Sequence, residues 1–352
     1  MRSEPVGQSQ LDRKPRPAHR RLALTVTACA ALLLAAGCST GNGMTQVSET
    51  ITIAAVPGID NAPLYLAYHR GYFADDGLLH VRIDSVTSES QVLSALESNQ
   101  AQIGASDYGT VFTAEDSQAT LRVLADGFDA GSGSVEIMSL PKDNIRNALG
   151  LQGSSIGLPN DSTLSTSGKA PGVPDSLYAA AARDVMSDFL ASGASTLTWS
   201  PMSQGQELQE LADGRLKAAL LTQPYIYQAE TQYGATPVLD AFSSGTADLP
   251  ISGYVATNTW VKGNSGAAAD FQAALEQAQS EASMTGPIQQ VLPKLPGGLF
   301  TTESADLATV GTYPTSTSVT ELQRVTELMT TESMISKTNP IGISQMLVNS
   351  GS

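Results

Sequence analysis

The chain has 352 residues, 41% of them hydrophobic, which is length for about two globular domains. Its 19 Lys and Arg stand against 34 Asp and Glu, a formal net charge of −15 that disfavours nucleic acid and anionic lipid headgroups as partners. With only two cysteines, Cys29 and Cys38, there is no disulfide framework to read.

The first residues are polar and basic, with Arg13, Lys14, Arg16, Arg20 and Arg21, and an apolar run follows from Leu22 to Ala36. That run has 15 residues, short of the ~20 that a spanning helix needs. A charged start, a short apolar core and small residues before a cleavage point predict a secretory signal over residues 1–37. The pair Arg20-Arg21 fits either Sec or twin-arginine export. Leu34-Ala35-Ala36-Gly37-Cys38 resembles the bacterial lipobox, which implies that Cys38 becomes a lipidated mature N-terminus. Cleavage would remove Cys29 with six basic and two acidic residues, leaving the mature chain at −19. Residues 38–49 are Gly, Ser, Thr and Asn-rich and read as a flexible tether.

Ile51, Ile53 and Ala55 alternate with Thr52 and Ala54, and Pro57-Gly58 stops the run, so a strand ends in the loop Pro57 to Asn61. Leu64, Tyr65, Tyr68 and His69 follow Pro63 at helical spacing, and Gly71 closes the helix. Asp75-Asp76-Gly77 turns into a second strand with Leu79, Val81 and Ile83. Strand, helix and strand imply a parallel pair with a right-handed crossover, and a ligand beyond the end of the first strand. After a helix with Val92, Leu93 and Leu96, the strand Ala101 to Ala105 ends at Ser106-Asp107-Tyr108-Gly109. The strand Leu121 to Ala125 leads into Gly127 to Gly133, which lacks GxxxxGK[ST] and reads as a loop. Leu208 and Leu211 end a further helix at Gly214, before the strand Leu216 to Leu221 and the loop Thr222 to Tyr225. Leu96, Asn99 and Asp107 have the spacing of Leu211, Gly214 and Thr222, an echo expected of two similar lobes. Ile251 to Thr257 reads as a strand returning to the first lobe, and Phe271, Leu275 and Ala278 share a helix face. Ser318-Val319-Thr320-Glu321 is a capping-box pattern that opens a helix with Val319, Leu322, Val325 and Met329 on its apolar side.

Ala67-Tyr68-His69-Arg70-Gly71-Tyr72-Phe73, with Gly77-Leu78 and Val81, resembles the opening signature of a bacterial solute-binding family. Its members serve ABC importers of nitrate, sulfonates, taurine and thiamine-pyrimidine precursors. Leu151-Gln152-Gly153-Ser154-Ser155-Ile156-Gly157-Leu158-Pro159 is similar to a second family element, with Ser154 in place of its lysine. Asn160 to Thr163 takes the place of the family's Gly-Ser-Thr turn, with Asp161 where glycine is common. Residues 164–176 read as a surface insertion. Glu210-Leu211-Ala212-Asp213-Gly214-Arg215-Leu216-Lys217-Ala218 and Gln223-Pro224 match a third region.

The resemblance implies an α/β, two-lobed periplasmic-binding-protein-like fold of type II, with mostly parallel sheets, flanking helices and two hinge crossings. Residues 50–138 and 252–346 are expected to form the first lobe and 139–251 the second, with crossings near Ser139 and Ser252. The implied partners are a small-molecule solute, an ABC permease and its ATPase, and the membrane through the acyl anchor on Cys38. The protein is then expected to act as a monomer on the outer face of the cell membrane.

Catalytic patterns are scarce. His69 and His80 stand in no HExxH or zinc-binding spacing, no GxSxG occurs, and no cofactor or metal is expected. Asp75-Asp76 and Glu115-Asp116 read as turn and helix-end carboxylates. Fungal pyrimidine-synthesising enzymes share the family's fold but carry a cysteine cluster that this chain lacks. Such an enzyme and a ligand-sensing surface lipoprotein stay open as alternatives. Candidate ligand-binding residues are those at strand ends: Asp60, Asn61, Ser88, Glu89, Ser106, Asp107, Tyr108, Phe128, Asn160, Ser162, Thr163, Gln223 and Tyr225. The bland reading of each is a helix cap or a packed ring. These loops carry Asp60, Glu89, Asp107, Asp129 and Asp161 but no Lys or Arg, so the expected ligand is neutral or cationic, such as a pyrimidine or an amine. Tyr108, Phe128 and Tyr225 are expected to stack on it.

Overall fold

The run Ile51–Ala55 is buried along its whole length, as a central strand of a parallel sheet covered on both faces must be. It is β1 in a computed structural model that describes residues 50–159, 176–189 and 197–348. The signal, the tether, Cys38, Asn160, Ser162 and Thr163 lie outside the described residues. Further strands are β2 (Val81–Ser85), β3 (Ile103–Asp107), β4 (Leu121–Asp129), β5 (Val135–Ser139), β6 (Ser155–Pro159), β7 (Thr198–Met202), β8 (Ala218–Thr222), β9 (Thr236–Asp240) and β10 (Pro250–Thr257).

They build two five-stranded sheets with the orders β2-β1-β3-β10-β4 and β7-β6-β8-β5-β9. The two follow one plan. The first strand of each half (β1, β6) pairs in parallel with the next two, and a strand that has just crossed between sheets (β10, β5) inserts antiparallel beside the third. Two lobes with flanking helices are therefore present, as the alternation of strand and helix predicts.

The local signals act as their chemistry requires. Pro63 sits in the first turn of the helix Ala62–Arg70, and Gly71 ends it at φ 82°, donating its N–H to Ala67 O and Tyr68 O. The echo between lobes is structural. Leu96 and Leu211 are buried on the helices that precede β3 and β8, and Asn99 (φ 56°) and Gly214 (φ 76°) make the same left-handed turn. Half of the capping box forms at the last long helix, Val319–Thr331: Ser318 accepts from Glu321 N, while the Glu321 side chain pairs with Arg324 instead of reaching back. Among the described residues no helix is long and apolar enough to cross a membrane.

Two boundaries differ from expectation. β4 runs on through Gly127 to Asp129, where the sequence suggests a loop. Gly127 permits this, because a Cβ there would stand 2.9 Å from Ser252 O on β10. β5 belongs to the second sheet, so the first crossing is residues 130–134 and not Ser139. The second crossing is residues 241–249, and Ser252 lies inside β10, paired with Asp107 and Phe128. A strand's alternation shows which face is buried but not which sheet receives it, so the pattern of Val135 to Leu140 could not place the crossing.

Both crossings are tied to the C-terminal segment. Asp129 and Thr312 exchange backbone hydrogen bonds of 2.9 Å just before the first. The Arg324 guanidinium donates to Gly245 O at 3.1 Å and Ala247 O at 2.7 Å within the second.

The first sheet also depends on one missing side chain. A Cβ at Gly253 on β10 would meet Tyr108 Oη at 2.3 Å and Ala125 O at 3.0 Å. Since Tyr108 is fully buried and the oxygen of Ala125 is backbone, neither can give way cheaply. Gly253→Ala is expected to destabilise the protein by about 1–3 kcal/mol in urea unfolding. An unchanged midpoint would show that the tyrosine has room to move.

Candidate functional site

The loop after β1 is held rigidly. Asn61 is buried and donates from Nδ2 to Val56 O at 2.9 Å, and Tyr313 Oη donates to Ile59 O at 2.7 Å from the far end of the chain. This fixes the backbone around Asp60, and Gly58 two residues before it leaves the space that Asp60 Oδ1 occupies.

Asp107 closes β3 and caps the helix Tyr108–Asp116, with Oδ1 accepting from Thr110 N at 2.8 Å. Behind it Glu89, the first residue of the helix Glu89–Glu97, accepts from Ser106 Oγ at 2.7 Å and from Asp107 N at 3.2 Å. The second lobe repeats the brace at the same separation of 18 residues. Gln204, the first residue of the helix Gln204–Ala212, accepts from Thr222 N at 2.9 Å at the end of β8, and the two side chains hydrogen-bond as well. Gln223 and Tyr225 continue from that strand.

These strand ends surround a cleft of about 150 Å³. Asp60, Glu89 and Asp107 line it from the first lobe, with Leu299, and Tyr178, Gln204, Thr222, Gln223 and Tyr225 line it from the second. A cavity of about 200 Å³ beside the edge strand β4 is larger, but it touches one lobe only, and its Gln272 and Gln279 amides are spent on backbone carbonyls.

The cleft is acidic, and its described lining holds no Lys, Arg or His. Burial pushes the Asp60 carboxyl up to about 6; the charge of Asp107 adds to the rise, against hydrogen bonds from the Asp60 and Asn61 backbone. Burial raises Asp107 too, opposed by its bonds from Thr110. Two acceptors face no donor among the described residues: Asp107 Oδ2 and Gln223 Oε1 are both buried without a hydrogen bond. Such groups are costly unless something else supplies the donor.

The structure thus brings together Asp60, Glu89, Asp107, Gln223 and Tyr225 of the residues predicted from sequence. Asn61 and Ser106 are buried behind them as supports. Ser88 is the N-cap of its helix and pairs with Ser90 Oγ at 3.1 Å. Tyr108 and Phe128 do not line the cleft. Tyr108 is fully buried, stacks on Phe112 with ring centroids 5.4 Å apart, and donates to Asp126 Oδ1 at 3.0 Å. Phe128 packs on Tyr313 at 5.5 Å. Both rings complete the core of the first lobe, so the stacking role expected of them is corrected. Tyr178, Gln204, Thr222 and Leu299 were missed; Gln204 and Thr222 had a signal, since they match Glu89 and Asp107 when the two lobes are set in the register of Leu96 and Leu211.

A family profile described as "NMT1/THI5 like" matches residues 59–285. No curated protein sequence matches the chain significantly. Solved structures with a similar fold include the periplasmic aliphatic sulphonate binding protein SsuA from Escherichia coli, at 15% identity over 85% of this chain and 97% of that one, TM-score 0.64. The ligand binding component of an ABC-type import system from Staphylococcus aureus, with zinc bound, is similar at 11% identity over 85% and 96%, TM-score 0.66. The desulfurization enzyme DSZB is similar at 14% identity over 84% and 96%, TM-score 0.62. At these identities the likeness is one of fold.

Asp60 gives a pH signature. Its folded value of about 6 lies above its ordinary 3.8, so the folded protein binds the extra proton between those values. Folding is therefore unhindered by this group below about pH 4 and loses stability as pH rises through about 6. Asp60→Asn is expected to be more stable than the parent at pH 7.5, by on the order of 1–2 kcal/mol, with the gain vanishing near pH 4. A gain independent of pH would show that the Asp60 carboxyl is not held out of water.

Proposed function

The chain belongs to the NMT1/THI5-like family, and on that premise we propose that it is the extracytoplasmic solute-binding component of an ABC importer. It captures a small neutral or cationic molecule between its lobes. The observation that carries this reading is the cleft itself, lined from both sheets by the carboxyl ends of β3 and β8 and by the loop after β1. Open α/β sheets bind ligands at such strand ends. Binding is favoured over catalysis because the described lining offers no cysteine, histidine or lysine, and two of its three carboxylates, Glu89 and Asp107, serve in bracing and capping. The absence of a cation from that lining disfavours nitrate or a sulfonate, whose charge would have to be offset inside a partly buried site.

Ligand binding closes the lobes by favouring one of two existing arrangements about the crossings at 130–134 and 241–249. Cys38, lipidated after removal of residues 1–37, holds the protein at the outer face of the membrane beside its permease. One acyl-bearing residue with more than one chain gives stable anchoring where the acidic surface gives none.

Thermal shift of the mature protein against small metabolites tests the capture. A true ligand at 100 times its Kd adds ~2.7 kcal/mol of stability, and solution scattering then shows compaction on saturation. A ligand that stabilises the protein while leaving the scattering profile of an initially empty sample unchanged would overturn closure. For the anchor, Cys38→Ser is expected to abolish incorporation of a labelled fatty-acid analogue and to release the protein from the membrane fraction; retention of both refutes lipidation at Cys38.

A further inference from the structure

The two lobes present unlike surfaces to the cleft although they follow one plan. At equivalent braces the first lobe has Glu89 and Asp107, where the second has Gln204 and Thr222. Asp60 adds to the acidic side, and the described lining of the second lobe is uncharged. Each lobe also contributes one buried acceptor without a donor: Asp107 Oδ2 in the first and Gln223 Oε1, on a side chain only 6% exposed, in the second. Asp60 and Asp107 are close enough that the charge of one disfavours that of the other.

We infer that the ligand of this cleft is a small nitrogen base that binds as a cation, an amine or amidine whose charged N–H donors meet Asp107 and Asp60 on the first lobe while a second donor meets Gln223 on the second. The inference rests on the solute-binding reading above and names its substrate class and orientation. A protonated nitrogen satisfies three needs at once. It supplies donors to Asp107 Oδ2, it offsets the paired carboxylates, and it does so through charge-assisted hydrogen bonds, which are about twice as strong as neutral ones. The amide of Gln223 calls for a donor without calling for charge, so a cation at each end is not required. Tyr178 and Tyr225, both half-buried, leave room between these ends for a flat or apolar body. At about 150 Å³ the cleft falls below the ~300–1,000 Å³ of drug-sized pockets, which points to a compact metabolite. Among the described residues no group of three or more His, Cys, Asp or Glu could hold a metal.

Benzamidine, benzamide and benzoate form a matched set of cation, neutral molecule and anion on one flat ring. Ligand-observed NMR and calorimetry on the mature protein at pH 7.5 are expected to rank benzamidine at least about tenfold tighter than benzamide, with benzoate undetected. Asp107→Asn keeps a helix-capping side chain and is expected to weaken benzamidine about tenfold while changing benzamide less than about threefold. Gln223→Met is expected to weaken both by a similar factor, and it serves should Asp107→Asn fail to fold. Equal or tighter binding of benzamide or benzoate, an unchanged benzamidine affinity in Asp107→Asn, or no detectable binding of benzamidine at about 10 mM, roughly ten times the Kd of an ordinary weak ligand, overturns the inference. If the metabolite screen still yields a stabilising, lobe-closing ligand of another class, solute capture stands and only the nitrogen-base assignment falls.

Discussion

The ends of β3 and β8, one in each lobe, depend on one repeated interaction, the bond from the strand's last backbone N–H to the side chain that begins the preceding helix. At the carboxyl end of a sheet the final N–H groups lose their ladder partners, and a helix running antiparallel to the strand brings its first residue to that place. Glu89 takes up Asp107 N and Gln204 takes up Thr222 N. With the backbone held, the side chains that follow are free to point at a ligand instead of capping their own strand. The brace is local, needs only a long polar side chain at the helix start, and so survives in both lobes while the charge of that side chain changes.

That freedom lets the charge at the strand ends vary while the architecture stays the same. The structures with a similar fold include a sulphonate-binding protein and an enzyme at 14–15% identity. The scaffold fixes where the strand ends lie, and the residues at those ends decide what is held there. Here the first lobe spends its strand ends on carboxylates that burial keeps reluctant to ionise, with the charge of Asp107 adding to the effect at Asp60. Carboxylates held in this way are costly unless a donor or a positive charge reaches them.

Much of this was legible in the sequence, wherever the cause was local. Pro63, Gly71 and the alternation of Ile51 to Ala55 gave strand and helix because each acts within a few residues. The register of Leu96 with Leu211 exposed the repeat. Long-range placement was not legible. Tyr108 and Tyr225 look alike as aromatic residues after a strand, yet one enters the core because Gly253 leaves a space under it, and Gly253 is far away in sequence. Tyr313 supports Ile59 across a sequence separation of 254 residues, which no spacing pattern encodes. The crossings were misplaced for the same reason, since alternation in Val135–Ser139 is equally suited to either sheet.

The insertion of β10 between β3 and β4 has a consequence for how the chain matures. The second sheet is built from an unbroken stretch, β5 to β9, and every pairing in it is available once Asp240 has been made. The first sheet has a gap between β3 and β4 that only residues 250–257 can fill, so its early strands hold open edges until then. A chain emerging from its amino terminus therefore completes its later half first and closes its earlier half around a returning strand. During that interval the half with exposed edges is the one that a chaperone would need to shield.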